Sequence, residues 1–364
     1  MKMKMKISWF LAGALLLFIF FSFSSSPVFA SPPTEKCITT HWFTVCFPIP
    51  TEPSPPSWPS KPPFPTPPTP PPSPTPPSKP LLIGAALRDY RQPNRRDCDI
   101  NVPRQFSTIQ SAIDAAVNGN TICVGPGTYN EDVSINKSIQ LSGSGAPKTI
   151  INGQDPNAQG AVCITADNVT LEGFLINGVG TNFTQVAVAI NGSDSGPVSE
   201  AIVRYNRIVA GNGGIALRTI RVQNSIIQNN ILEGNNSPYV AAEGGLDNVG
   251  SLNISFINNT FIGTVNPNTR SDTGITLDAG VPNGLIKQNV FDTTGTMIAL
   301  IASNNTSVIN ENNLNSNTTI KIGGGWEPPA LNAENNWWGD LDPSDNVSGD
   351  VDFTPFATSP FVEN

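Results

Sequence analysis

The sequence predicts an all-β protein, a parallel β-helix with three strands in each coil and a short helix that caps its N-terminal end. Residues 186–338 repeat one pattern, in which a short apolar run is followed by an Asn and then by a large apolar residue. The repeated Asn residues are Asn206, Asn230, Asn259, Asn289, Asn312 and Asn335. They are separated by 24, 29, 30, 23 and 23 residues, and a period in this range indicates a repeat architecture.

A second recurring element is a three-residue strand with apolar residues at its first and third positions. Its copies are Ile139–Leu141, Val162–Ile164, Val188–Ile190, Ile215–Leu217, Ile275–Leu277, Ile298–Leu300 and Ile320–Ile322. Alternation with period two places the outer residues of each triplet inward and the middle residue outward. The predicted outward residues are Gln140, Cys163, Ala189, Ala216, Thr276, Ala299 and Lys321.

One segment has helical periodicity. Between Ser107 and Val117, apolar residues recur at Ile109, Ala112, Ile113, Ala116 and Val117, which places them on one face. Ser107 and Gln110 have the spacing of a capping box. Because the end of a solenoid exposes core residues and strand edges, this helix is predicted to be its N-terminal cap.

The repeated Asn suits a corner for two reasons. Asn tolerates the left-handed backbone conformation, and its amide both donates and accepts, so copies in successive coils can hydrogen-bond to one another. The same richness in Asn creates Asn-x-Ser/Thr sequons, such as Asn168, Asn182, Asn253 and Asn305, which we interpret mostly as by-products of the corners.

The first part of the chain differs in character from the predicted β-helix. Residues 1–30 combine Lys2, Lys4 and Lys6 with an apolar run and a cleavage pattern that ends at Ala30, as in a secretory signal peptide. The alternative is an uncleaved membrane anchor, since the 17-residue run at 7–23 is barely long enough to span a bilayer. The protein is therefore expected at the cell surface or secreted, with membrane contact only through this segment if it is retained.

Residues 31–47 form a small segment that contains Cys37 and Cys46, which are expected to form a disulfide. Residues 48–80 contain 18 prolines in 33 positions and are predicted to be an extended polyproline II spacer. This spacer is either a stalk or a low-complexity tether without a partner. Residues 81–96 are assigned to a linker and 97–364 to the β-helix, where Cys98, Cys123 and Cys163 allow more than one pairing.

The charge balance excludes one class of partner. The net charge is −8, and removal of the three Lys of the signal segment gives −8 − 3 = −11. An acidic chain without a basic block is poorly suited to nucleic acid, so we expect no nucleic-acid partner.

Residues 121–338 resemble the pectin-lyase-like superfamily of right-handed parallel β-helices, and the tail from Asn335 through Pro360 resembles the closing segment of secreted bacterial β-helix proteins. The resemblance implies a right-handed solenoid, with active sites usually on the outer face of the first strand of each coil. It is specific for the fold and unspecific for the reaction.

The segment from Phe106 to Glu131 also resembles the first coil of pectinesterases, as does the stretch from Gln185 to Ala189. The catalytic aspartates of that family would fall within 211–214 and 239–243, and neither stretch contains Asp. The only His is His41, outside the predicted β-helix, which excludes mechanisms that need a histidine from the solenoid. No recognisable catalytic set is present.

The remaining candidates are isolated charges. Arg218, Asp278 and Lys287 are weak candidates for catalysis, and Arg204, Arg218, Thr276, Asp278 and Lys321 are candidates for binding a glycan. Arg204 and Lys287 fall in one outward column of the second strands, where a basic patch would suit uronate or sulfate groups. Each of these charges is also consistent with ordinary solvated surface.

The acidic tail contains Asp340, Asp342 and Asp345, which are weak candidates for Ca²⁺ ligands, and no other cofactor is expected. The sequence favours a surface protein that binds polysaccharide or a cell-envelope glycan, or an envelope scaffold. The alternative is a polysaccharide lyase or other carbohydrate-active enzyme of the same fold.

Overall fold

The computed structural model describes residues 35–39, 44–48, 90–91, 97–180, 185–193, 195–211, 214–235, 240–243, 251–264, 273–277, 283–294, 297–300, 306–314, 319–322 and 330–361. Residues 1–77 and 78–364 form separate compact units. In the first unit, Glu35–Thr39 pairs antiparallel with Thr44–Pro48 and places Cys37 directly opposite Cys46. The predicted signal segment and proline-rich spacer lie outside the described residues, and no described helix is long and apolar enough to cross a membrane.

The second unit is built from three parallel sheets. The eleven-stranded sheet contains Ile100–Val102, Thr121–Val124, Gln140–Ser142, Thr170–Glu172, Ile202–Arg204, Ile226–Gln228, Ser255–Ile257, Leu285–Lys287, Val308–Asn310, Leu331–Asn332 and Val351–Asp352. The nine-stranded sheet contains Val133–Ile135, Val162–Ile164, Val186–Asn191, Ile215–Ile220, Val240–Glu243, Thr273–Leu277, Met297–Leu300, Thr319–Ile322 and Val347–Ser348. The seven-stranded sheet contains Gly127–Asn130, Thr149–Asn152, Leu175–Asn177, Arg207–Val209, Ile231–Asn235, Thr260–Thr264 and Val290–Thr294.

The chain visits the sheets in a fixed order, from the nine-stranded to the eleven-stranded to the seven-stranded sheet, as in Val162–Ile164, Thr170–Glu172 and Leu175–Asn177. Each strand pairs in parallel with the equivalent strand of the next coil, so the predicted parallel β-helix with three strands per coil is confirmed. Two short strands, Val198–Ser199 and Val222–Gln223, pair at a corner, and a 3-10 helix spans Pro343–Asp345.

One of the predicted three-residue strands lies in a different sheet from the others. Gln140 pairs with Thr121 and Thr170, so it lies in the eleven-stranded sheet and not with Cys163. Inward-facing residues alternate with the same period in all three sheets. For that reason the apolar pattern of this triplet could not identify its sheet.

The core is a set of inward columns that run along the solenoid. In the seven-stranded sheet, Ile151, Ile176, Ile208 and Leu232 are each 0% exposed and follow one another in register. The column continues through Phe261 and Phe291, whose rings stack with centroids 4.6 Å apart. Because each coil buries its apolar residues against its neighbours, the coils stabilise one another.

The capping helix is confirmed but is shorter than predicted, spanning Ile109–Ala115. Its N-cap is Thr108, not Ser107, because the Thr108 hydroxyl accepts a hydrogen bond from the Ser111 backbone N–H at 3.1 Å. Val117, which the periodicity placed on the apolar face, lies beyond the helix and is 65% exposed.

Both ends of this helix are satisfied by side chains from the next coil. The Glu131 carboxylate accepts the backbone N–H groups of Ile109 and Gln110, each at 2.9 Å. The Lys137 ammonium donates to the carbonyls of Ile113, Asp114 and Ala116 at 2.7–3.0 Å. These contacts pair groups that a helix leaves without partners at its ends, and they match the charge of each side chain to the helix dipole.

The predicted Asn stack forms at the corner between the eleven-stranded and seven-stranded sheets. The side chains of Asn206, Asn230, Asn259, Asn289 and Asn312 are buried, and each donates from Nδ2 to the Oδ1 of the next Asn at 2.9–3.2 Å. Each Oδ1 from Asn230 onward also accepts the backbone N–H of the preceding Asn, at 2.8–3.0 Å for the pairs from Asn206 to Asn312.

Two details of the prediction were wrong. The left-handed residues are those immediately before the stack, including Tyr205, Asn229 and Asn258, so the stacked Asn are retained for their amides and not for their backbone conformation. The sixth member is Asn336, because Asn335 takes the left-handed position with φ 59°. Because Asn335 and Asn336 are adjacent, the sequence did not show which of the two belongs to the stack.

The structure also gives the pairing of the cysteines in the solenoid. Cys98 and Cys123 form a disulfide that ties the chain entering the solenoid to its second strand, and Cys163 is a buried free thiol. Asn101 lies beside Cys123 in the register of the first two strands of the eleven-stranded sheet. The disulfide therefore fastens the end of the solenoid that the helix covers.

Candidate functional site

One register column of the nine-stranded sheet consists mostly of small residues and contains two cationic ones. Strand register places in one column Ser134, Cys163, Ala189, Arg218, Ala241, Thr276, Ala299, Lys321 and Ser348. The position of Ala216 in this column was predicted wrongly, since Ala216 belongs to the main core and Arg218 takes the outward position. In the sequence, Arg218 directly follows the predicted triplet Ile215–Leu217.

The displacement has a physical cause. In the strand Ile215–Ile220, the inward residues are Leu217 and Thr219, and Thr219 is fully buried. Ile215 instead joins Cys163, Val186 and Ala189 in a small apolar cluster separate from the main core. The apolar Ile215 thus lies outside the main core and the polar Thr219 lies inside it. This reverses the apolar–polar alternation from which the inward and outward positions were predicted.

Arg218 is a half-buried cation in neutral surroundings. It pairs in register with Ala189 of the preceding coil, and Ile215 lies in the same strand. Its Nε is buried without a hydrogen-bond partner. Burial raises the pKa of the Cys163 thiol, while a hydrogen bond with Asn191 and the positive charge of Arg218 oppose that rise. The Arg218 charge is thus close enough to influence the Cys163 thiol. Within the part of the chain that the structure describes, Arg218 forms no ion pair with a carboxylate.

Neutral polar groups flank this cation. The Cys163 thiol donates to Gln159 Oε1 at 3.2 Å, and Asn191 Nδ2 donates to the same oxygen at 3.2 Å. Beyond them a shallow depression is lined in part by Asp132, Asp155 and Gln185. The Asp132 carboxylate accepts the backbone N–H groups of Gln154 and Asp155, each at 2.9 Å, so it fixes the loop conformation.

The predicted basic patch on the second strands is neutralised. Arg204 and Lys287 do share one outward column of the eleven-stranded sheet, as expected. However, Arg204 Nε lies 2.7 Å from Glu172, and Lys287 Nζ lies 3.0 Å from Glu311. The side chains expected to attract an anion are therefore occupied by carboxylates of neighbouring coils.

The Glu172 cluster was not found from the sequence. Glu172 is 3% exposed, and its Oε1 accepts hydrogen bonds from Gln140 Nε2 at 2.9 Å and Ser142 Oγ at 2.7 Å. Its Oε2 accepts the Arg204 Nε at 2.7 Å. Every donor comes from a different position in the sequence, 30 to 32 residues away, and no local motif marks them.

Tyr90 covers this cluster. Its hydroxyl donates to the Gly143 carbonyl at 2.6 Å, and its ring lies 5.6 Å from that of Tyr205. Gly173, at φ +78°, makes room for it, since a Cβ there would lie 2.4 Å from the Tyr90 ring. Tyr90 falls in the segment that the sequence assigned to a linker, and the structure packs it on the solenoid.

Tyr90 makes stability sensitive to alkaline pH. Burial raises its pKa above the usual value of 10, and the negative charge of Glu172 raises it further. The neutral phenol is thus favoured in the folded state, so this contribution to stability is complete below pH 10 and is lost as the pH rises further. We expect the free energy of unfolding to fall less above pH 10 in Tyr90→Phe than in the wild type, measured by urea denaturation. An identical decline in both proteins would contradict this.

The candidates for catalysis do not converge. Arg218 lies in the nine-stranded sheet and Lys287 in the eleven-stranded sheet, and Asp278 lies outside the described residues. Thr276 and Lys321 are placed by strand register only. A general acid and base must reach one substrate together, and the described candidates do not meet that requirement.

The acidic tail stabilises turns. Asp340 accepts the Asp342 backbone N–H at 3.0 Å, and the Asp342 carboxylate accepts the Ser344 hydroxyl at 2.6 Å as the N-cap of Pro343–Asp345. The hydrogen bonds from Ser344 lower the pKa of Asp342. Asp345 lies exposed in the same turn, and the described residues contain no group of three or more His, Cys, Asp or Glu that could hold a metal.

Comparison with known proteins gives a local sequence match. No family model matches the chain. A stretch of 82 residues is 40% identical to a cell surface glycoprotein of Methanothermus fervidus, and this match covers 22% of the chain and 13% of that relative. About a fifth of the chain is therefore similar to a small part of a surface protein.

Solved structures with a similar course of the chain include pectin methylesterases. The enzyme from Aspergillus niger is 15% identical with a TM-score of 0.42, and the match covers 72% of this chain and 92% of that one. The rice weevil enzyme is 14% identical with a TM-score of 0.40, covering 75% and 94%. The carrot enzyme is 12% identical with a TM-score of 0.42, covering 74% and 91%. Similarity this weak carries no information about activity.

Proposed function

We propose that this protein is a surface β-helix that binds an acidic polysaccharide along the outer face of its nine-stranded sheet, with Arg218 as the principal contact. The supporting observation is the environment of the Arg218 side chain. It is half-buried among apolar and neutral polar groups, whereas Arg204 and Lys287 are paired with carboxylates. A guanidinium in such a place is available to the carboxylate or sulfate of a ligand.

The strand register of the nine-stranded sheet supports an extended ligand. Lys321 shares the column of Arg218 and lies four strands further along, roughly 19 Å at ~4.8 Å for each strand. The register positions between them hold Ala241, Thr276 and Ala299, which are small. A polymer with regularly spaced anionic groups can lie along such a strip and contact both cations, which increases affinity over either contact by itself.

The location is part of the proposal. The secretory pattern of residues 1–30 and the local likeness to a cell surface glycoprotein both support export. In this arrangement the proline-rich residues 48–80 separate the β-helix of residues 97–364 from the envelope. Cys37 and Cys46 are expected to form a disulfide in that oxidising setting, as their direct register supports.

The test is binding to a panel of acidic and neutral polysaccharides by affinity electrophoresis or calorimetry. We expect binding to acidic polymers, with affinity that falls as salt rises because exposed charges are screened. Arg218→Ala is expected to weaken binding about tenfold, equivalent to about 1.4 kcal/mol, and Arg218→Lys to retain part of the affinity. The matched control is Lys148→Ala, which removes the same charge at an exposed position before a strand of the seven-stranded sheet.

Two results would contradict the proposal. Equal affinity of wild type and Arg218→Ala would remove this face as the binding site. Formation of an unsaturated product that absorbs in the far ultraviolet, lost in Arg218→Ala, would instead identify a polysaccharide lyase.

A further inference from the structure

The described part of the chain separates its Asn-x-Ser/Thr sequons into two groups. Sequons whose Asn side chain is placed by the structure begin at Asn136, Asn168, Asn191, Asn253, Asn258 and Asn346. Asn136 and Asn168 are exposed, and neither side chain forms a hydrogen bond with a described residue. An exposed amide nitrogen is the chemical requirement for attachment of a glycan at a sequon.

The other sequons have amides that the fold uses or covers. Asn253 Nδ2 donates to Asn224 Oδ1 at 2.7 Å, and Asn258 Nδ2 donates to Asn229 Oδ1 at 2.6 Å, in stacks between coils. Asn191 Nδ2 donates to Gln159 beside the candidate site. Asn346 is 3% exposed and has no room for a sugar.

Asn136 and Asn168 occupy the same corner of consecutive coils. Each follows a strand of the nine-stranded sheet, Val133–Ile135 or Val162–Ile164, and those strands pair in parallel. Each sequon ends just before or at the next strand of the eleven-stranded sheet, where Gln140 pairs with Thr170. Asn168 has a left-handed backbone, φ 56°, and is exposed together with its neighbour Asp167.

We propose that Asn136 and Asn168 are N-glycosylation sites, so that two glycans project from one corner of the solenoid next to its N-terminal cap. The inference depends on the export that the proposed function includes, because the transfer requires a lipid-phosphate-linked oligosaccharide outside the cytoplasm. The Nδ2 of each Asn displaces the lipid phosphate from the anomeric carbon. A C–N bond forms, the C–O bond to phosphate breaks, the lipid phosphate leaves with the electron pair, and Nδ2 loses one proton.

The structure also explains why these positions tolerate the modification. A glycan replaces one of the two hydrogens on Nδ2, which costs nothing where that hydrogen faces water. Asn258 is also exposed, but its Nδ2 and that of Asn253 each donate a hydrogen bond within a stack between coils, whereas Asn346 is 3% exposed. Occupancy is therefore expected to follow the exposure and hydrogen bonding of the amide and not the presence of the sequon.

The test is glycopeptide mass spectrometry of the full chain, purified from the surface fraction of cells that possess an N-glycosylation machinery. We expect glycan mass on the peptides that contain Asn136 and Asn168, and none on those that contain Asn253 and Asn346. Asn136→Gln and Asn168→Gln should each remove the mass of one glycan. Ser138→Ala and Thr170→Val should do the same while keeping both asparagines.

Unmodified Asn136 and Asn168 in protein recovered from the cell surface would overturn this inference and leave the proposed location intact. Glycan mass confined to the stacked or buried sequons would overturn it as well. Binding of acidic polysaccharide measured on the same samples, with Arg218→Ala as the reference, tests the proposed function separately. The two measurements therefore distinguish a failure of the glycosylation inference from a failure of the proposed polysaccharide binding.

Discussion

Replacing Asn259 with leucine is expected to lower the free energy of unfolding by about 3–5 kcal/mol, because four buried groups each lose a hydrogen bond to the Asn259 side chain. The Asn259 Nδ2 donates to Ile227 O at 2.8 Å and to Asn289 Oδ1 at 3.1 Å. Its Oδ1 accepts the backbone N–H and the Nδ2 of Asn230, each at 3.0 Å. Leucine has a similar volume but satisfies none of these groups. The measurement is urea denaturation followed by circular dichroism.

The matched control is Asn152→Ala, which interrupts a half-buried stack on the outside of the seven-stranded sheet. There Asn152 donates to Asn130 at 2.9 Å and accepts from Asn177 at 2.8 Å, and water can replace both partners. We expect a loss of less than about 1 kcal/mol. Equal losses at the two positions would mean that burial does not determine the contribution of the stacked amides.

Replacing Glu172 with methionine is expected to destabilise the protein by about 3 kcal/mol. The substitution removes the acceptor of Arg204, Gln140 and Ser142 beneath Tyr90, where Glu172 is 3% exposed. Removing one partner of a buried ion pair costs more than the pair itself contributes, since the remaining charge is left without compensation. Because the Arg204 side chain is 35% exposed, solvent limits that cost.

The double variant Glu172→Met with Arg204→Met tests this explanation. Replacing both charges by apolar groups of similar size is expected to recover at least half of the lost stability. Glu233→Met is the control, because its partner Arg207 is 44% exposed and an exposed pair contributes less than about 1 kcal/mol. A double variant as unstable as Glu172→Met would show that the hydrogen bonds to Gln140 and Ser142, and not the ion pair, stabilise this site.

The inward pattern of the coils was predictable because it is local. Val162, Ile164, Val188 and Ile190 alternate with period two, and the Asn stack recurs at a nearly constant spacing. Both signals arise within a few residues and repeat in every coil, so each copy strengthens the others. Where a copy deviated, as at Thr219 or at the adjacent Asn335 and Asn336, the register inferred from the sequence shifted by one or two residues.

The sequence by itself determined that the chain forms coils, which residues fill their interior, and that the catalytic motifs of pectinesterases are absent. The tertiary structure decided which charges meet. Glu172 reaches Arg204 across 32 residues, Tyr90 reaches Gly143 across 53, and Arg218 is left without a carboxylate within the described residues. Those pairings depend on the alignment of coils of unequal length, and that alignment is set by hydrogen bonds between strands and not by any local property of the sequence.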